Sequence, residues 1–426
     1  MRSLAVNVLV VLWCIESAQL PCLGADQRSV LPSPHLRGEG LGVRGFRTGS
    51  EESAANHPPA AAGPASLRGT VLEALQSGDE NVRIAAVRAL GRVGTADDVP
   101  MLARLATTAD SDAERTAAFQ ALSTLAAKGT DEAIVGYLGQ APPDVCVTLI
   151  RSLVARRATA AMPGVLAAAK HENAEVRIEA LHALQALADG DAAPALVKLL
   201  IDTPRGPQRE AAERAVAASC RRIADPQRRA DPLLAALRGA DLAARCALLP
   251  ALGRLGGDRA LEAVHAAMKD PSPQVRDAAV RALSNWPDAS VAPELLAIAQ
   301  QSPQQSHRIW ALRAYARVVA LPAQRPPEET FKMLRQAMAL ARRSEDKQLI
   351  LSRLAAVRTP EALEMALSFT DDKALRAEAL KTAAALAEAL RTSHPPESRA
   401  AMQRVLQLTD DAELRDRLKR LLEKMG

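Results

Sequence analysis

The chain has 426 residues, of which 48% are hydrophobic but only 2% are aromatic, so its interior has to be built from Ala, Leu and Val. Such side chains fill the narrow space between closely packed helices, and the composition therefore predicts an all-α fold. The 54 basic and 49 acidic residues leave a net charge of +5, an excess that excludes no partner class until the charges are placed.

The amino-terminal segment has the pattern of an export signal. Arg2 supplies a positive charge, residues 4–15 form a mainly apolar run, and residues 23–25 provide a cleavage site. This run is too short to span a bilayer, and no later stretch is apolar enough to do so. We therefore expect a signal peptide over residues 1–25, cleaved near Ala25. The protein is then a periplasmic or secreted bacterial protein with no membrane insertion after signal removal.

The next segment, residues 26–65, is rich in Pro and Gly and has little apolar periodicity. Segments of this composition bury too little apolar surface to offset the entropy lost on ordering. We expect a flexible linker over residues 26–65.

The rest of the chain is dominated by a repeated phrase. Residues 82–90, 176–184 and 275–283 all read Val-Arg-x-x-Ala-Val/Leu-x-Ala-Leu, and related phrases recur about every 32 residues. A fixed period of this length is typical of a solenoid, in which each unit stacks on its neighbours. We call the second residue of the phrase the register position. It is occupied in turn by Arg83, Arg115, Cys146, Arg177, Arg209, Arg245, Arg276, Arg308, Lys347, Arg376 and Arg415.

Each unit is predicted to be a hairpin of two helices. Asp, Asn or Ser stands four residues before most register arginines, as at Asp79, Asn173 and Asp372, and such residues cap helix starts. A second apolar helix precedes each start, and Gly or Pro separates successive units. About eleven hairpins are expected. Longer steps and a Pro-rich segment after Arg308 divide them into a first block, 66–320, and a second block with a polar C-terminal cap, 321–426.

The phrase resembles the HEAT repeat, in the short form that is also seen in phycobilin lyases. The resemblance covers about residues 67–425 and implies an α-α superhelix, with the second helix of each unit on the concave face. It also implies that the register arginine supports packing between neighbouring units, so that Arg83, Arg177 and Arg276 have a structural role.

Candidate binding residues come from the outward face of the second helices. At 100° per residue, the fifth residue after the register position points directly away from the core stripe. Seven of its eleven occupants are cationic and none is acidic, which indicates a basic ladder, although exposed arginines can also be merely solvated. Trp310 is either a neighbouring anchor or a packing residue. The candidate partner-binding residues are Arg88, Arg151, His182, Arg214, Arg281, Arg313, Arg317 and Trp310.

We interpret the chain as a non-catalytic, exported scaffold that binds an acidic surface of another protein on its concave face through charge-assisted hydrogen bonds. Nucleic-acid binding is the alternative, but the export signal and the scarcity of aromatic side chains argue against it. An enzyme similar to the phycobilin lyases is a third reading that depends on the repeat type alone.

No catalytic, cofactor-binding or metal-binding residue is predicted. The sequence has no zinc-binding His-Glu-x-x-His helix, no haem attachment motif, no phosphate-binding Gly loop and no nucleophile elbow. Removal of the signal leaves Cys146, Cys220 and Cys246, an odd number at unrelated spacings, and we expect buried free thiols.

Overall fold

The computed structural model describes residues 64–425, and the predicted signal peptide and nearly all of the predicted linker lie outside this range. The described part of the chain contains 22 α-helices and no β-strand, and it forms two compact units that divide between Ala168 and Ala169. The first unit contains α1 Pro64–Ala74, α2 Glu80–Val93, α3 Val99–Thr108, α4 Asp112–Thr124, α5 Thr130–Leu138, α6 Pro143–Ala155 and α7 Met162–Ala168.

The second unit contains fifteen helices. They are α8 Ala174–Leu187, α9 Ala193–Asp202, α10 Pro207–Arg221, α11 Asp231–Leu237, α12 Leu242–Leu255, α13 Asp258–Met268, α14 Pro273–Ser284, α15 Ala292–Gln301, α16 Gln305–Val319, α17 Pro327–Leu340, α18 Ser344–Leu354, α19 Pro360–Ser368, α20 Arg376–Leu390, α21 Pro395–Leu408 and α22 Ala412–Lys424.

Within each unit, an odd-numbered helix packs against the even-numbered helix that follows it, and successive even-numbered helices up to α20 pack side by side. We call the even-numbered helices the second helices, because each is the second of its predicted pair. The 22 helices of the described residues match the eleven predicted hairpins of two helices each. The all-α solenoid fold class is confirmed. Within residues 64–425, no helix combines the length and apolar character needed to cross a membrane.

Side-chain caps start many of the second helices where the sequence places them. Asp79 accepts a hydrogen bond from the Asn81 backbone N–H, and Asn173 accepts one from the Glu175 backbone N–H. These bonds satisfy donors that the first turn of a helix leaves free. The prediction is wrong at Asp372, because α20 begins only at Arg376 and the Asp372 carboxylate instead bonds the Ala374 backbone N–H within the preceding turn.

The core consists of small and branched aliphatic side chains, as the composition predicts. Trp286 and Tyr315 are both buried, and so are the free thiols of Cys146, Cys220 and Cys246. Burial raises the pKa of the Cys220 thiol to about 12, so this group stays protonated at neutral pH.

The predicted boundary at residue 320 falls between α16 and α17, which contact each other directly. The division into blocks 66–320 and 321–426 stays a prediction. The predicted linker ends at residue 65, and α1 already begins at Pro64.

Candidate functional site

A basic groove of about 610 Å³ lies in the second unit, along the second helices α10, α12, α14, α16 and α18. Because these helices pack side by side, residues that are distant in sequence face the same space. Three carboxylates, Glu210, Glu213 and Asp277, line the groove together with seven arginines. The arginines are Arg205, Arg209, Arg254, Arg281, Arg313, Arg317 and Arg353.

An arginine stacked on a tryptophan forms one wall of the groove. The Arg281 guanidinium carbon on α14 lies 4.3 Å from the centre of the Trp310 ring on α16. Trp310 also lies beside the buried His307 ring, with 5.6 Å between the ring centres. The Nε2 of His307 lies 2.7 Å from Asp277 Oδ1. Stacking restrains the plane of the Arg281 guanidinium and leaves its N–H groups unpaired within the described residues.

Arg313 and Arg254 are each held by a buried carboxylate. Arg313 Nε donates to Asp346 Oδ1 at 2.6 Å, and the Asp346 side chain is only 3% exposed. Arg254 Nε donates to Glu213 Oε2 at 2.9 Å across α10 and α12. Burial raises the pKa of Glu213, although the hydrogen bond from Arg254 opposes this shift.

Arg317 is held by backbone. Its Nη2 donates to the carbonyl oxygens of Ser284 and Trp286 at 3.2 and 2.6 Å, at the end of α14. Burial, followed by repulsion from Arg353 and Arg254, lowers the pKa of Arg317. The guanidinium nevertheless stays charged, because an arginine pKa begins far above neutrality.

The structure brings Arg281, Trp310, Arg313 and Arg317 together in the groove. Trp310 is half-buried, and it combines the two predicted alternatives, because it packs between hairpins and also faces the groove. The other four candidates lie elsewhere. Arg88 and Arg151 are exposed on α2 and α6 of the first unit, while His182 on α8 and Arg214 on α10 belong to the second unit but do not line the groove.

The predicted ladder has one buried member. Pro250 occupies the outward position on α12, yet it is buried. The prediction of outward exposure is wrong there, because α14 packs closely along α12, and only the part of Pro250 that lines the groove remains accessible. Most other ladder positions are exposed as expected.

Sequence reasoning did not select Arg205, Arg209, Arg254 or Arg353 as binding residues. Arg254 lies one helical turn after the outward position, as Arg317 does, and the i, i+4 relation places both on the same extension of the ladder. Arg353 follows the outward Ser352 directly, and no periodic signal marks it. Within residues 64–425, no group of three or more His, Cys, Asp or Glu side chains is arranged to hold a metal ion.

Several solved structures are similar to this chain. The karyopherin Kap121p, bound to the extreme C-terminus of the protein phosphatase Cdc14p, is 13% identical, with 81% of this chain and 46% of that chain covered and a TM-score of 0.43. Kap95p, described with RanGDP, is 13% identical. The match covers 85% of this chain and 56% of that chain, with a TM-score of 0.44. This chain therefore spans about half the length of the karyopherins that it matches.

A chain from the complex of CpcE and CpcF of phycocyanin lyase from Nostoc sp. PCC7120 is 20% identical. The match covers 69% of this chain and 100% of that chain, with a TM-score of 0.29. Among curated proteins, none matches the sequence.

The family model of HEAT repeats matches residues 59–123, 132–217 and 230–316, which together make up more than half of the chain. Within each unit, the described part of these ranges is a succession of paired helices whose second helices pack side by side. With both the repeated sequence and its helical pairs present, this chain belongs to the HEAT-repeat family.

Proposed function

We propose that this protein is a non-catalytic interaction scaffold that binds an acidic segment of another protein in the basic groove. The HEAT-repeat solenoid is a fold that protein-interaction scaffolds typically have. The observation that carries the proposal is the charge of the groove, where seven arginines face three carboxylates. Two of these carboxylates are already hydrogen bonded, Glu213 to Arg254 and Asp277 to His307. The groove therefore has more cationic donors than the described residues satisfy.

Five of the seven arginines fall into two kinds. Arg254, Arg313 and Arg317 are fixed by carboxylates or backbone carbonyls and set the shape of the groove. Arg281 and Arg353 are exposed and make no hydrogen bond or ion pair within residues 64–425. Guanidinium groups of this second kind can form paired hydrogen bonds with a carboxylate, and these bonds are stronger than neutral ones. We therefore assign partner contact to Arg281 and Arg353.

We further propose that the scaffold is exported and meets its partner outside the cytoplasm. The support for this is the amino-terminal pattern of one charge, an apolar run and a cleavage site.

The test is binding of a fluorescein-labelled, Asp- and Glu-rich peptide, measured by anisotropy at low salt. Replacing Arg281→Gln and Arg353→Gln together is expected to weaken binding about tenfold or more, which corresponds to roughly 1.4 kcal/mol. The matched control replaces Arg238→Gln and Arg342→Gln. Both are exposed arginines of the second unit that lie outside the groove, so the control has the same net charge.

Two results would contradict the proposal. An equal loss in both double variants would mean that the peptide senses only net charge. Tighter binding of single-stranded DNA than of the peptide at the same salt concentration would favour the nucleic-acid alternative, because arginines also contact phosphates. Circular dichroism on all variants checks that helical content is unchanged.

A further inference from the structure

We propose that the basic groove contains a phosphoryl-binding site formed by Arg317 and Arg353 with Arg254 beside them, and that the acidic segment it takes carries a phosphorylated side chain. This inference rests on the proposed function and specifies its ligand. The site lies where α12, α14, α16 and α18 face the groove, next to the stacked Arg281 and Trp310.

The first argument is the concentration of positive charge. Arg254, Arg317 and Arg353 line the same groove and lie close enough for repulsion from two of them to lower the pKa of the third. Among the described residues, the carboxylate that contacts this group is Glu213, which is bonded to Arg254. Three cations and one carboxylate leave two positive charges even when Glu213 is ionised. Like charges that line one groove repel each other, and an anion bound among them removes this repulsion.

The second argument is the set of donors. Backbone carbonyls hold Arg317 through Nη2, so its plane is fixed while Nε and Nη1 have no acceptor within the described residues. Arg353 is exposed and unbonded there. Ser284 also lines the groove, and its Oγ is shielded from solvent without a hydrogen-bond partner. The wall thus has two guanidinium groups and one hydroxyl with unused donors.

These features fit a phosphoryl group better than a carboxylate. A phosphorylated side chain has a charge of about −1.5 to −2 at neutral pH and three strong acceptor oxygens. It can match both excess charges and accept from both guanidinium groups, whereas a single carboxylate leaves one charge uncompensated. Arg281, held on Trp310, is placed for an ordinary acidic residue beside the phosphorylated one.

The experiment compares three peptides that differ only at one central position, which is phosphoserine, Glu or Ser within an acidic sequence. We expect the phosphoserine peptide to bind the full chain at least tenfold more tightly than the Glu peptide. In Arg353→Gln this preference should fall to about twofold or less, and Arg353→Lys should restore only part of it, because an ammonium lacks the planar pair of donors. Arg342→Gln, the matched control, should keep the full preference.

A second variant tests the charge argument in the opposite direction. Glu213→Gln keeps an acceptor for Arg254 but removes the negative charge beside the site, so it should raise the affinity for the phosphoserine peptide severalfold and leave the Ser peptide nearly unchanged. Inorganic phosphate serves as a competitor that reports the site without a peptide.

The outcomes separate this inference from the proposed function. Equal affinity for the phosphoserine and Glu peptides overturns the phosphoryl site and leaves the acidic-segment scaffold intact. Absence of binding by all three peptides overturns both. Displacement by millimolar inorganic phosphate without any gain from phosphoserine assigns the site to a free phosphate compound and rejects a phosphorylated partner.

Discussion

The register arginine ties together the two helices of one hairpin. In eight of its nine occurrences the guanidinium donates to the backbone carbonyl six residues earlier, at the end of the preceding helix, as from Arg276 Nη1 to Asp270 O at 2.7 Å. A cation at this point satisfies carbonyls that a helix C-terminus leaves free. The resemblance implied packing between neighbouring units. Only some copies add such a contact, for example Arg83 to Glu114 and Arg177 to Gln208.

Arg83 and Arg88 lie on the same helix and differ in role. Arg83 bonds the Ser77 carbonyl and the buried Glu114, whereas Arg88 is exposed and makes no hydrogen bond within the described residues. Arg83→Ala is expected to lower the midpoint of urea unfolding clearly, because it removes charge-assisted bonds and leaves a buried carboxylate without its partner. Arg88→Ala should change stability by less than about 0.5 kcal/mol. Urea unfolding followed by circular dichroism compares them, and equal midpoints would refute the assigned role.

The structure changes one test that the sequence suggests. Reversing Arg281 and Arg313 to Glu is expected, from the ladder alone, to weaken partner binding without changing helical content. Arg313 is bonded to the buried Asp346, so a carboxylate at position 313 would face another carboxylate in a site shielded from water. For Arg313 we therefore expect a loss of stability in addition to weaker binding, and Arg353 is the cleaner second position.

At the level of elements, close approach of the second helices builds the groove. A Cβ on Gly253 of α12 would lie within 2.5 Å of the Ala282 Cα on α14, so only glycine allows these two backbones to pack as they do. Both helices line the groove, and their spacing places Arg254 and Arg281.

Gly253→Ala is therefore expected to destabilise the protein by about 1–3 kcal/mol through overpacking, despite the better helix propensity of alanine. The control is Gly136→Ala on α5, an exposed helical glycine with no atom within 4 Å of the added Cβ, which should stabilise by about 0.5–1 kcal/mol. The midpoints of urea unfolding measure both effects. A stabilising Gly253→Ala would show that α12 and α14 can separate at little cost.

For the whole molecule, local placement of charge matters more than the net charge of +5. Lys and Arg are nearly balanced by Asp and Glu over the chain, yet the groove of the second unit has four more arginines than carboxylates. Attraction of this kind is short-ranged at physiological salt, where the Debye length is about 8 Å. Recognition is therefore expected to depend on the groove rather than on the average charge.

Export is the prediction that belongs to the whole chain. If the amino-terminal segment directs secretion, mass spectrometry of the protein from the periplasmic or secreted fraction should find a mature chain that begins near Asp26. A chain that keeps Met1 in the cytoplasmic fraction would reject the export proposal. It would also remove one of the two arguments against nucleic acid as the partner.

Much of the fold follows from sequence because its period is local. Helix caps, apolar spacing and the register arginine all act within one pair of helices, so a single repeat contains nearly all the information for its own geometry. The outward position likewise predicts Arg281 and Arg313 as binding residues from sequence spacing alone. Pro250 and Asp372 depart from the pattern where a neighbouring helix or a longer turn prevails over the repeat.

The binding groove depended on how the pairs stack, which no single repeat encodes. Sequence spacing identified outward arginines but could not separate those with a buried carboxylate, such as Arg313, from those without one, such as Arg353. That difference arises from side chains that lie 33 residues apart in sequence and meet across two helices, as in the pair Arg313 and Asp346. Helical periodicity therefore determined which way each side chain points, and tertiary packing decided which charges remain for a partner.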